Sequence, residues 1–216
     1  MPLYKSLAIN AVTQLYVWKI TESLAELAAG VYLKDVCQFR VNNMKSQQHR
    51  KGFLSVRMLM QHAGYTDFDL YYDNDGKPHL KDGKQISITH SYGFSAIIIS
   101  SESIGIDMEL RREKIIKIAD KFLDREFGYL DNNATDYVNK LTVLWGIKEA
   151  VYKMLSQNGL SFKDNIYVPA FIMTDSVINA MVNFKDVKNI YSCHFQEIED
   201  FTLVYCLGNT NIICNE

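Results

Sequence analysis

Proline is scarce, with only three in 216 residues, and no proline-rich or Gly/Ser-rich linker divides the chain. That excludes modules on flexible tethers and leaves one large domain or two small lobes sharing a core. No repeat or low-complexity tract is present. Neither sign of charge dominates: 23 Lys and Arg stand against 25 Asp and Glu, a net charge of −2. No global field therefore attracts nucleic acid or anionic lipid, and a polyanionic ligand must meet cations gathered locally. No apolar run, 96–99 included, comes near the roughly 20 residues a membrane helix needs, so no membrane partner is expected. The first ten residues lack a charged start followed by a long apolar stretch, so no signal peptide is expected. Cysteine is sparse as well. Cys37, Cys193, Cys206 and Cys214 form no C-x-x-C pair, and no histidine cluster has zinc spacing. Buried free thiols in a cytoplasmic protein are the expectation.

Helix and strand signals come in blocks. Residues 15–20 read as a strand, and Thr21 or Ser23 is placed to cap a helix reaching about residue 32. A second helix is predicted over 45–63, with Phe53, Val56, Leu59 and Met60 at helical spacing and Gly64 as its stop. Asp73-Asn74-Asp75-Gly76 makes a turn. Strands follow at 86–89 and 94–100, the latter expected to turn at 101–103 into a hairpin with 104–109. A basic helix over 113–127, a long helix over 135–156 and β-rich runs at 165–173, 177–183, 190–197 and 201–207 complete the chain. Blocks of each type, without strict alternation, point to an α+β fold.

The stretch Ile104-Gly105-Ile106-Asp107-Met108-Glu109 is the most informative. Strand alternation puts Asp107 and Glu109 on one face and Ile104, Ile106 and Met108 on the other. The acids' Cβ atoms are about 7 Å apart, close enough to repel unless a cation sits between them. A hard divalent ion is the natural occupant, and a solvated edge strand is the plain alternative.

On the long helix Leu144, Ile147, Val151, Met154 and Leu155 form one stripe, with Trp145, Glu149 and Lys153 on the roughly opposite face. Two readings stand. One is a solvent-facing Glu149–Lys153 pair worth about 0.3–0.5 kcal/mol. In the other this face covers a cleft, where Glu149 joins the acidic strand at a metal and Lys153 meets an anion. Further cations lie apart. Gly76 and Pro78 hold Lys77 on a stiff turn, Thr89-His90-Ser91 ends a strand, and Arg50 follows His49 on the 45–63 helix. Each is a phosphate partner in kind, and each is equally an ordinary turn, loop or helix residue.

Taken in order, Asp75-Gly76-Lys77-Pro78, 86–91 (ISITHS), 104–109 (IGIDME) and 145–153 (WGIKEAVYK) resemble the 4'-phosphopantetheinyl transferases of the longer, single-chain Sfp type. Phe122-Leu123-Asp124-Arg125-Glu126 is similar to that family's Phe-Ser-x-x-Glu element, and His49-Arg50 to its upstream His-Arg. The resemblance spans about residues 49–161. It implies an α+β fold of two similar lobes related by a pseudo-two-fold, with a cleft between them. The lobes are expected at 1–103, contacting the nucleotide end, and 104–216, holding the carboxylates. It implies Mg2+ held by Asp107, Glu109 and Glu149, with coenzyme A as the substrate. Arg50, Gly76, Lys77, Thr89 and His90 map onto segments for the nucleotide end, and Lys148 and Lys153 onto the helix that meets the pyrophosphate. Asp107, Glu149 and Lys153 are the implied catalytic residues.

The implied reaction is attack by a carrier-protein serine on the β-phosphate of coenzyme A, releasing 3',5'-ADP. Lys114, Lys117 and Lys121, with Arg111 and Arg112, make a basic patch expected to dock an acidic carrier protein. A monomer is expected, with no nucleic-acid partner. The alternatives are a metal-dependent phosphoesterase using the same acids, or a non-catalytic coenzyme A or carrier-binding protein.

Overall fold

In a computed structural model, residues 3–212 are described, with side chains through Gly208. The chain forms two compact units, Met1–Glu102 and Ser103–Glu216. Both are mixed α/β structures built on sheets whose strand pairs are all antiparallel.

The first unit opens with strands β1 (Leu3–Asn10) and β2 (Thr13–Lys19). Helix α1 (Leu24–Ala29) starts at a capping box: Ser23 Oγ accepts from the Glu26 amide while the Glu26 carboxylate accepts from the Ser23 amide. Helix α1 stops at Gly30, and a separate helix, α2 (Asp35–Asn43), follows. Helix α2 escapes prediction because it buries only Cys37 and Val41 and so carries no apolar stripe. Helix α3 (Gln47–His62), capped by Ser46, buries Phe53, Val56, Leu59 and Met60 as their spacing predicts.

Strands β3 (Leu70–Tyr72), β4 (Pro78–Leu80), β5 (Gln85–Ser91) and β6 (Phe94–Ser100) complete a six-stranded sheet in the order β1-β2-β6-β5-β4-β3. The expected hairpin between 94–100 and 104–109 does not form. Strand β6 is already paired on both edges, to β2 and to β5, which leaves no edge for the next strand.

That next strand, β7 (Ile104–Leu110), opens the second unit and pairs with β11 (Phe201–Ile212). With β10 (Val187–Ile198), β9 (Ile178–Phe184) and β8 (Ile166–Tyr167) they make a five-stranded sheet in the order β7-β11-β10-β9-β8. The predicted basic helix over 113–127 is broken into a 3-10 segment (Glu113–Ile118), a single α-turn, α4 (Ala119–Phe122), and a second 3-10 segment (Arg125–Gly128). Helix α5 (Tyr137–Leu155) lies on the sheet, and the one-turn helix α6 (Phe162–Asn165) leads into β8.

Helix α5 is buried nearly all round, beyond the single stripe that its sequence suggests: Leu141, Leu144, Ile147, Ala150 and Val151 are all fully shielded. Its close seat on β7 and β11 depends on two glycines. A Cβ at Gly105 would stand 1.8 Å from the Ala150 carbonyl oxygen, and one at Gly146 would stand 2.7 Å from Val204 Cγ2. Neither space admits a methyl group.

The thiols differ from expectation. Cys193 and Cys206 face each other across β10 and β11, with Cα atoms 4.1 Å apart, and are disulfide-bonded. Free thiols were expected because the cysteines form no C-x-x-C pair; their meeting depends on the register of the β10–β11 hairpin, which spacing alone does not show. Cys37 is free and buried. Cys214 lies outside the described residues.

Candidate functional site

Alternation places Gly105, Asp107 and Glu109 on the face of β7 that meets α5. Gly105 lies under the Ala150 carbonyl, Asp107 meets Lys153, and Glu109 meets Trp145. The acidic face is therefore covered by the helix, not by solvent. Asp107 is 3% exposed. Lys153 Nζ donates to Asp107 Oδ1 at 2.6 Å and to the Ile106 carbonyl at 3.2 Å. Trp145 Nε1 donates to Glu109 Oε1 at 3.4 Å, while its ring packs edge-on against Phe122.

Charge accounts for the state of the cluster. Burial and the Asp107 charge push the Glu109 carboxyl up to about 7, with Glu149 adding to the effect and Trp145 and Lys153 opposing it. Burial also raises Glu149; Lys153 works against the rise and Asp107 with it. For Lys153, burial alone would lower the ammonium, but Asp107, Glu149 and Glu109 outweigh it and hold it above its ordinary value. Three carboxyls thus share one partly buried cation, which leaves two negative charges uncompensated when all three acids are ionised.

That imbalance sets a pH dependence. A carboxyl whose folded value lies above its unfolded one keeps its proton while the unfolded chain releases it, so stability falls as pH rises through that window. Without divalent ions, wild-type protein is expected to lose on the order of 3 kcal/mol relative to Glu109→Gln between about pH 4.5 and 7. Urea denaturation at several pH values measures this, and parallel curves for the two proteins would contradict it.

Among the described residues, no group of three or more His, Cys, Asp or Glu is placed to hold a metal ion. The ligand set expected of Asp107, Glu109 and Glu149 is present as electrostatic neighbours, with the Lys153 ammonium bonded to Asp107. In chemistry the donors still fit a hard divalent ion: three oxygen acids, two of them destabilised by burial in anionic form.

Lys148 does not fit its expected place at a pyrophosphate. It is fully buried, and its Nζ meets Glu126 Oε1 at 2.7 Å, the Ile166 carbonyl at 2.6 Å and the Phe162 carbonyl at 2.9 Å. All three of its donors are thereby used inside the core. Burial lowers this ammonium and Glu126 opposes the fall. The role of Glu126, matched in sequence only as part of a short motif, is thus to neutralise Lys148. It also accepts from the Asp124 and Val168 amides.

In the first unit, His90 is exposed at the end of β5 and lies beside His49, ring centroids 6.4 Å apart, where Gly52 allows α3 to approach. Thr89, its neighbour, is buried at 6% exposure on the opposite sheet face. Lys77 is half-buried after the exposed turn at Gly76, and burial lowers its ammonium against the pull of Asp73. Arg50 is engaged structurally. Its guanidinium donates to the Met44 and Asn42 carbonyls, closing the end of α2.

Of the basic patch, Arg112, Lys114, Lys117 and Lys121 are exposed. Arg111 is not available in the same way: it donates to the Phe201 and Glu199 carbonyls and pairs with Glu197 at 3.5 Å, pinning the β10–β11 turn. A cleft of about 200 Å3 beside Glu109 and Trp145 is walled by Arg112, Lys114, Ile115 and Ile118.

Residues 103–206 match the family model of the 4'-phosphopantetheinyl transferase superfamily. No curated protein matches the chain. The superfamily match covers the stretch that carries β7, α5 and the whole carboxylate cluster. The two-sheet α/β structure of the chain is compatible with a phosphopantetheinyl transferase fold. Members of the superfamily use coenzyme A as substrate, typically with a divalent metal, and act on carrier proteins.

Proposed function

We propose that this protein transfers the 4'-phosphopantetheine arm of coenzyme A to a serine of an apo carrier protein, releasing 3',5'-ADP, with Mg2+ as the required metal. The observation that carries the reading is the gathering of Asp107, Glu109, Glu149 and Lys153 between β7 and α5, within the stretch that matches the superfamily. Asp107, Glu109 and Glu149 would hold the metal, with Lys153 giving up Asp107 for a phosphate. A bound Mg2+ supplies neutralisation of charge on the diphosphate oxygens.

The remaining work falls to side chains. Lys153, its charge sustained by its acidic neighbours, stabilises the departing phosphate. Glu149, its carboxylate made more basic by burial, is suited to take the serine proton. In the first unit, Lys77 and His90 are the proposed contacts for the anionic nucleotide end. Arg112, Lys114, Lys117 and Lys121, on the rim of the cleft and the segment after it, are proposed to meet an acidic carrier face. The protein is taken to act as a cytoplasmic monomer.

The test is to mix the protein with Mg2+, coenzyme A and an apo acyl carrier protein, then weigh the carrier. A carrier heavier by one phosphopantetheine arm is expected. Nucleotide breakdown with an unmodified carrier would point instead to a phosphoesterase, and coenzyme A binding without either change to a non-catalytic binder.

A further inference from the structure

One buried polar side chain beside the carboxylates takes no part in the reading above. Thr202 on β11 is paired directly with Glu109 on β7. Paired residues project to the same face of a sheet, with Cβ atoms about 5 Å apart. Thr202 is 1% exposed, and its hydroxyl oxygen has no hydrogen-bond partner among the described residues. Leaving a buried hydroxyl unpaired is unfavourable, and valine at the same place would avoid the loss.

The neighbours indicate which way the hydroxyl is needed. On its other side Thr202 pairs with Glu197, whose carboxylate is already engaged by Asn139 at 3.3 Å and Arg111 at 3.5 Å. Among the described residues, Glu109 accepts only the long 3.4 Å contact from Trp145 on Oε1. A carboxylate that must keep a defined orientation while it shares a cation needs a second donor, as ligating carboxylates generally have. Thr202 is the donor nearest in register.

We infer that Thr202 is a positioning residue for Glu109, its hydroxyl donating to the Glu109 carboxylate when the site holds its divalent cation. This rests on the reading of Glu109 as a cation ligand. The partner of the hydroxyl is then supplied by loading, which explains a polar group kept at a position where the unloaded fold gives it nothing.

The test titrates Mn2+ by calorimetry into metal-free wild-type protein, T202V, T202S and E109Q, and records the melting temperature of each metal-free protein. T202V is expected to melt at or above wild type and to bind Mn2+ about tenfold more weakly. T202S, which keeps the hydroxyl, should stay within about twofold of wild type, and E109Q should lose most of its binding. Metal-free T202V that melts below wild type, or fails to fold, overturns the proposal by giving the hydroxyl a structural partner. T202V that binds Mn2+ as wild type does overturns it too, while a loss in E109Q leaves the reading of Glu109 standing. Wild type that binds no Mn2+, or E109Q that binds as well as wild type, removes that reading and this proposal with it.

Discussion

Replacing Asp107 with alanine is expected to lower phosphopantetheine transfer by about 10³-fold or more while leaving the protein folded. Two losses coincide at this side chain. Asp107 is the most deeply buried of the three acids proposed to hold the metal, and it is the partner that fixes Lys153 at 2.6 Å. Its removal takes a ligand away and frees the ammonium that is proposed to meet the departing phosphate. The structural penalty is smaller. The Lys153 side chain is 29% exposed, so the abandoned ammonium reaches water, and a partly exposed pair contributes only about 1 kcal/mol. A fall in melting temperature of about 2–4 °C is therefore expected for a chain of this size. Carrier mass after incubation measures the first effect and thermal denaturation the second. Transfer that survives in Asp107→Ala, with its divalent-ion dependence unchanged, would refute the assignment.

The parts of this site that were legible in sequence are those in which one element carries the whole pattern. Asp107 and Glu109 share a face because a strand has period two, and Glu149 and Lys153 share one because a helix brings i and i+4 together. The element order also carried the existence of α3, α5 and the strands around them. What stayed hidden depends on how separate elements pair. A turn at 101–103 is chemically sound, yet whether it closes a hairpin depends on edges of β6 that β2 and β5 already occupy. Register in the β10–β11 hairpin decides that Cys193 meets Cys206, and register between β7 and the distant β11 decides that Thr202 meets Glu109. Lys148 lies one residue from Glu149 and looks just as available for a phosphate. Only the return of the chain at α6 and β8 closes it off. The basic stretch after β7 reads as one helix because Lys114, Lys117 and Lys121 keep helical spacing, but a 3-10 segment carrying the first two and a single α-turn carrying the third place them as well.

Lys148 and Glu126 make the second large effect, and it is one of stability. Both side chains are essentially sealed, at 0% and 1% exposure, and they meet at 2.7 Å. Replacing Lys148 with methionine fills similar space but leaves the Glu126 carboxylate uncompensated in the core, which typically costs about 3–5 kcal/mol. It also strips a donor from the Phe162 and Ile166 carbonyls, loosening α6 and β8 from α5. The double variant Lys148→Met, Glu126→Gln removes the stranded charge, and an amide oxygen at 126 still accepts from the Asp124 or Val168 amide that the carboxylate serves. It is expected to recover more than half of the loss, a coupling that a denaturant-unfolding double-mutant cycle reads directly. The outcome decides between two roles for the same lysine. A phosphate contact would leave Lys148→Met as stable as wild type and weaken coenzyme A binding, with no rescue from Glu126→Gln. A core counter-ion loses stability first and regains it when its partner is neutralised.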